Sequence, residues 1–335
     1  MKKLIYALSI VVLVMSCKEE APKDYVTLSG IITNQNSDSL RIYSGKYKKR
    51  IDVKADGTFS DTLKVAAGKY ILYDGTEAAY IYLKNSYNLQ ISVDAHDFDA
   101  TLNYTGVDAE PSNYLAKWTR SQNEVFDDAP MFALEKSKFD EKLSEINKSF
   151  KENFNKIQNL DTTFVTQQNS SIDNFINFIS RRYDDKKTLD LDLPKGSPSP
   201  KFVDYENFAG GNTSLDDFMG SYVYIDLWAT WCGPCIAQIP YLKELEKEYH
   251  DKNITFVSIS TDSDSAYETW KKMVVEKELT GVQLYSKRDP IFSSAYKVKG
   301  IPRFILIDPS GNIVSADAPR PSSKYLKELF DELSI

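Results

Sequence analysis

The chain has 335 residues, 42% hydrophobic and 13% aromatic, which exceeds one ordinary domain and excludes a disordered polymer. Its 41 basic and 48 acidic side chains leave a net charge of −7 with no long basic tract, so nucleic acid is excluded as a partner. Two histidines, His96 and His250, far apart in sequence, leave little for a multi-histidine metal site or a histidine-assisted nucleophile.

The first segment reads as an address. Met1-Lys2-Lys3 precedes an apolar run from Leu4 to Met15, the layout of a secretory signal and too short to span a bilayer comfortably. Val14-Met15-Ser16-Cys17 resembles a lipobox, in which a small residue precedes the cysteine that a bacterial signal peptidase frees and lipidates. The resemblance implies a signal peptide over 1–16, a lipid on Cys17, a tether over 17–24 and a membrane partner held through that lipid. Lys18-Glu19-Glu20 is similar to an acidic export tag of surface lipoproteins, and equally fits a solvated tether. The expected location is the bacterial cell envelope, lipid-anchored, facing the periplasm or exposed on the outer membrane.

Residues 25–107 alternate short strand-forming runs with turns. Tyr25–Ile32, Leu40–Tyr43, Tyr70–Tyr73, Ala79–Leu83 and Leu89–Val93 carry strand composition, and Asp56-Gly57 and Asp74-Gly75 supply turns. That spacing predicts an antiparallel β-sandwich. Its tyrosines fit a half-buried core or a binding face, and Lys46–Arg50 reads as a solvated hairpin end. Residues 108–190 predict a helical connector: Phe139, Leu143, Ile146, Phe150, Phe154 and Ile157 make one helical stripe, and Phe164, Ile172, Phe175, Ile176 and Ile179 suggest another. The proline-rich stretch Leu193–Pro200 marks a boundary. From 191 to 335, strands at Tyr222–Trp228, Ile254–Ser260 and Phe304–Asp308 alternate with helices, which predicts an α/β sheet.

Trp231-Cys232-Gly233-Pro234-Cys235 lies between the Tyr222–Trp228 strand and a helix. A C-x-x-C serves as half a zinc site, as a structural bridge or as a redox centre. No second cysteine pair or nearby histidine completes zinc coordination, so no metal is expected. A structural bridge closing so short a loop adds little stability. The redox use has positive chemistry, because a helix N-terminus stabilises a thiolate through free backbone N–H groups.

Ala229–Cys235 resembles the active-site segment of the thioredoxin superfamily, and residues 196–335 are most similar to TlpA/ResA-type envelope thioredoxins. The resemblance implies a C-terminal thioredoxin fold with catalytic Cys232, Cys235 and Asp226. It makes Asp226 a buried acid with a raised pKa that accepts the proton of Cys235, Pro240 a kink in the active-site helix, and Ile301-Pro302 a cis-proline turn. Trp231, Ile301 and Pro302 are then the substrate-binding residues. The cytochrome-maturation branch carries a glutamate where this chain has Gln238, which cannot titrate. Residues 25–107 resemble the β-sandwich domains found ahead of such modules in envelope lipoproteins.

The expected function is a membrane-anchored thiol–disulfide oxidoreductase that reduces disulfides of envelope proteins. It uses the redox-active Cys232/Cys235 pair without an organic cofactor, and takes electrons from a membrane thiol donor. Two other functions stay open: a thiol peroxidase of the peroxiredoxin branch, whose Pro-x-x-x-Thr-x-x-Cys motif is missing at Cys232, and a surface binding lipoprotein that works through its β-domain.

Overall fold

The computed structural model describes residues 23–158, 160–287, 289–333 and 335, so the signal segment, Cys17 and most of the tether lie outside the described residues. Among those described, no helix is long and apolar enough to cross a membrane. The chain forms two compact units: one holds the described residues up to Arg120 together with Lys156–Gln167, the other Ser121–Asn155 together with the chain from Gln168 onward.

In the first unit, strands β1 (Val26–Thr33), β2 (Ser39–Ser44), β3 (Tyr47–Asp52), β4 (Thr58–Leu63), β5 (Gly68–Tyr73), β6 (Ala78–Leu83), β7 (Asn88–Asp94) and β8 (Asn103–Val107) build two sheets. Helix α1 (Phe98–Thr101) sits between β7 and β8. The sheets run β4-β1-β7-β8 and β3-β2-β5-β6. Alternation decides which side is covered: Leu89, Ile91 and Val93 of β7 are buried while Asn88, Gln90 and Ser92 face solvent.

One expectation is corrected here. The pairing is not antiparallel throughout, because β1 and β7 run parallel from Thr27↔Asn88 to Thr33↔Asp94. The chain passes through both sheets between them and re-enters beside β1 in the same direction, a crossover that period-2 patterning cannot report. Gly30 permits the approach, since a Cβ there would lie 2.1 Å from the Ile91 carbonyl oxygen. Lys46 lies in the turn of the β2–β3 hairpin, where Ser44 pairs with Tyr47, and Tyr47–Arg50 continue as β3, an edge strand on which Lys48 and Arg50 are exposed.

Four helices follow, α2 (Glu110–Asp127), α3 (Ala129–Ala133), α4 (Lys136–Asn155) and α5 (Thr162–Asp192). The stripe on α4 buries Phe139, Leu143 and Phe154. Met131, Phe132, Phe139, Leu143, Ile179 and Tyr183 make one cluster in the second unit. The packing draws its borders elsewhere than the sequence segments do. The unit borders cut α2 and α5, while α3 and α4 lie in the second unit, and α5 continues to Asp192, carrying Leu189 into the core of the C-terminal sheet.

That sheet joins β9 (Tyr205–Asn207), β10 (Asn212–Thr213), β11 (Tyr222–Trp228), β12 (Ile254–Ser260), β13 (Val282–Tyr285), β14 (Arg303–Ile307) and β15 (Ile313–Ser315) in the order β10-β9-β13-β12-β11-β14-β15. Strands β11, β12 and β13 are parallel and β14 is antiparallel to β11. Helices α6 (Gly233–Ile236), α7 (Ile239–Glu248), α8 (Tyr267–Glu276), α9 (Pro290–Ala295) and α10 (Lys324–Glu332) complete the unit. Central β11 is covered on both faces, which is why its sequence is almost continuously apolar. Val223, Ile225 and Leu227 point to the face holding Leu189, Phe292 and Tyr296; Tyr224 points to the face covered by α7 and α10. Asp226, two residues on, shares the Tyr224 face.

Candidate active site

The two cysteines are joined as a disulfide with Cα atoms 5.2 Å apart. Cys232 occupies the N-cap of α6, and its Sγ accepts the Cys235 backbone N–H at 3.2 Å. An N–H aimed at this sulfur favours negative charge on it, as a nucleophilic thiolate requires. Both cysteines are buried, in one cluster with Trp228, Ala229, Trp270, Val274 and Tyr285. The helix is divided at Ala237-Gln238, ahead of Pro240, whose ring nitrogen has no proton to donate to the preceding turn.

The turn entering the motif is held from outside the motif. The Asp262 carboxylate accepts the Thr230 backbone N–H at 3.0 Å, the Thr230 hydroxyl at 2.9 Å and the Ser260 hydroxyl at 2.9 Å. Asp262 is fully buried, and these donors replace the water lost on burial. Trp231, next to Cys232, is 71% exposed. Ile301 packs against the cysteine cluster and Ile301-Pro302 is a cis peptide. The β11–β14 register, in which Leu227 faces Arg303, brings that turn alongside the end of β11. Gln238 is buried, and its Oε1 accepts the Ser322 backbone N–H at 3.0 Å. At this position the chain carries a neutral clasp to the 319–323 loop.

Asp226 lies on β11 opposite Ser258 of β12 and Phe304 of β14, buried, with its Oδ1 lacking a hydrogen-bond partner among the described residues. Desolvation, and then the negative charge of Glu246, push its carboxyl up to about 8. The Glu246 carboxyl is also raised by burial, opposed by the Thr280 hydroxyl and Lys243. Both acids line a cavity of about 10 Å³, together with Lys243, Ser258, Thr280 and Gln283.

Cys232, Cys235, Ile301 and Trp228 are therefore brought together, and Asp226 lies on the strand that feeds the motif. Glu246, Asp262 and Thr230 were not singled out from sequence. Glu246 had a signal: it falls at i+7 from Ile239 and i+4 from Leu242, an acid on the buried stripe of α7. Asp262 had none, since its partner is 32 residues away.

A bridged cysteine pair at the start of a helix, following an α/β-sheet strand that carries a buried acid, defines a dithiol–disulfide exchange centre. Residues 194–329 match the Redoxin family. Over 139 residues the chain is 27% identical to the thiol-disulfide oxidoreductase ResA of Bacillus thuringiensis, covering 42% of this chain and 78% of that protein. It is 25% identical over 142 residues to the thioredoxin-like protein YneN of Bacillus subtilis, covering 42% and 82%. Among solved structures, a candidate thiol-disulfide oxidoreductase from Bacteroides vulgatus is 47% identical, with a TM-score of 0.38, covering 42% of this chain and 92% of that one. The C-terminal part of this chain belongs to the redoxins as a TlpA/ResA-type, thioredoxin-like thiol–disulfide oxidoreductase.

Proposed function

We propose that the chain reduces disulfides of envelope proteins, with Cys232 as nucleophile, Cys235 as resolving thiol and Asp226 as the acceptor of the Cys235 proton. The observation that carries this reading is the pairing of a Cys232 sulfur aimed at by a backbone N–H with a buried acid whose carboxyl is pushed up to about 8. In the reduced form the Cys232 thiolate attacks a substrate disulfide. A mixed disulfide forms, the substrate S–S bond breaks, and the departing sulfur takes a proton from solvent. Cys235 then gives its proton to Asp226 and attacks the Cys232 sulfur. The internal bridge forms and the second substrate sulfur leaves, so the substrate gains two electrons and the chain loses two.

The bridge itself carries the electrons, so no organic cofactor is needed, and a membrane thiol donor returns the pair to the dithiol. Trp231 offers an aromatic docking surface beside the nucleophile, and Ile301 and Pro302 flank an extended substrate segment. A lipid on Cys17 anchors the chain in the envelope, and the two N-terminal sheets pack as a sandwich that places the redox module or recognises its partners. The test is turnover of a model disulfide by reduced full-length protein, with Cys235→Ser used to trap mixed disulfides in cells. Turnover with trapped envelope proteins is expected. No turnover, or trapping that persists in Cys232→Ser, overturns the reading.

A further inference from the structure

We propose that Glu246 is the outlet for the proton that Asp226 collects, a relay and positioning residue joining the buried acid to solvent through the cavity they share. The proposal rests on Asp226 receiving the Cys235 proton. A buried group that takes up a proton in each cycle must also lose it, and the other elements around Asp226 offer apolar cover: Phe304 of β14 opposite it and the Leu242 and Leu245 side chains of α7 on the same face. The exception is the small cavity on one side.

That cavity, at about 10 Å³, is close to the space one water molecule needs, and polar side chains on several elements interrupt a lining otherwise made by Trp228, Ile239, Leu242 and Leu279. The Asp226 Oδ1 and Gln283 Oε1 are both buried and have no protein partner among the described residues. Ser258 stands opposite Asp226 across the β11–β12 ladder. Glu246 and Lys243 close the outer side from α7, and exposed Thr280 completes it. The cavity therefore runs from a buried carboxyl to a half-buried one at the protein surface.

Glu246 is held there by its neighbours. The Thr280 hydroxyl donates to Oε2, and Gly281 leaves room for Oε1, since a Cβ at Gly281 would stand 2.6 Å from that oxygen. The charged or titratable groups facing the pair are Lys243 on α7 and Tyr224 on Asp226's own strand; β12 and β13 present neutral Ser258 and Gln283. Two carboxyls on one cavity favour sharing a single proton over holding two charges. In the relay step the Asp226 carboxylic acid gives its proton to a bridging water, which passes one to Glu246, and Glu246 releases it to solvent. No electrons move in this step.

The test follows both halves of the reaction with an aromatic disulfide that releases one coloured thiolate when Cys232 attacks and a second when Cys235 resolves. Glu246→Gln keeps the side-chain volume and the acceptor for Thr280. The first release is expected to be unchanged, while the second slows roughly tenfold in dilute buffer and recovers as a small buffer base such as imidazole is raised. Glu246→Asp should recover much of the rate without added base, and if Glu246→Gln does not fold, Thr280→Val is measured in the same way. A second release as fast as wild type, or one that is slow but indifferent to buffer, overturns the relay while leaving disulfide exchange intact. A wild-type protein that gives no second release overturns the exchange reading, and the relay with it.

Discussion

Asp226→Asn tests whether the buried acid is held protonated. In the folded chain its carboxyl is pushed to about 8, against 3.8 for an ordinary aspartate. Between those two pH values the unfolded chain carries an aspartate anion and the folded chain a neutral acid, so folding takes up a proton. The sign follows from linkage: a raised folded-state pKa gives stability that is fully present below about 4 and is lost as pH rises through about 8. The loss is about 1.4 kcal/mol per pH unit, or roughly 5–6 kcal/mol over the whole window. An asparagine is neutral at every pH and has no such slope, and comparing the two proteins cancels every other titrating group. The expected outcome is that the Asp226→Asn variant gains on wild type steadily from pH 5 to pH 8, by about 4 kcal/mol over those three units. Denaturant unfolding of the oxidised protein, followed by tryptophan fluorescence, reads this directly, because Trp228, Trp231 and Trp270 belong to the C-terminal unit. A difference that stays flat, or that grows toward low pH, would show that Asp226 is ionised in the folded chain and cannot store the Cys235 proton.

Other outcomes follow from the same packing. Gly281→Ala places a Cβ 2.6 Å from a Glu246 carboxylate oxygen and 3.0 Å from the Phe256 carbonyl, at a φ of +66°, and is expected to lower the stability of the C-terminal unit by about 2 kcal/mol in chemical unfolding. Leu189→Ala removes a buried side chain that α5 contributes to the core beneath the sheet, and should cost about 3 kcal/mol in the same measurement. An unchanged unfolding midpoint in that variant would place the domain border after α5. In stopped-flow measurements, the resolving step should speed up about tenfold per pH unit from 6 toward 8 and then level off, whereas a rate flat across that range would remove Asp226 from the step.

The features legible in the sequence were those whose cause is local. Trp231–Cys235 carries its chemistry within five consecutive positions, and Tyr222–Trp228 shows by its unbroken apolar run that it is covered on both faces, with Asp226 as the exception. The stripe beginning at Phe139 gave α4 through its period alone. Features that depend on long-range contacts did not show. The parallel pairing of β1 with β7 leaves the same alternation as an antiparallel pairing would. Pro194, Pro198 and Pro200 mark where regular structure stops, but Leu189 joins the C-terminal core from the helix before them. The Thr230–Asp262 clasp joins residues that no local pattern connects.

The two sulfurs of the motif have different needs, and the fold meets each from a different side. Cys232 lies where a backbone N–H already points at its sulfur, so its thiolate is stabilised without a base. In the proposed exchange Cys235, buried with Cys232 among Trp228, Trp270 and Val274, needs a base, and its proton goes to a group whose own affinity for protons is similar. An aspartate held at about 8 lies far closer to an ordinary thiol, near 8.5, than an ordinary aspartate near 3.8 does. The match has a consequence at neutral pH, where only about one Asp226 in ten is ionised and ready to accept. In the proposed cycle that acid is therefore usually full, and emptying it becomes one of the steps. An apolar shell alone would raise the carboxyl and seal the proton in; a shell broken on one side by Glu246, Lys243 and Thr280 raises it and leaves a way out.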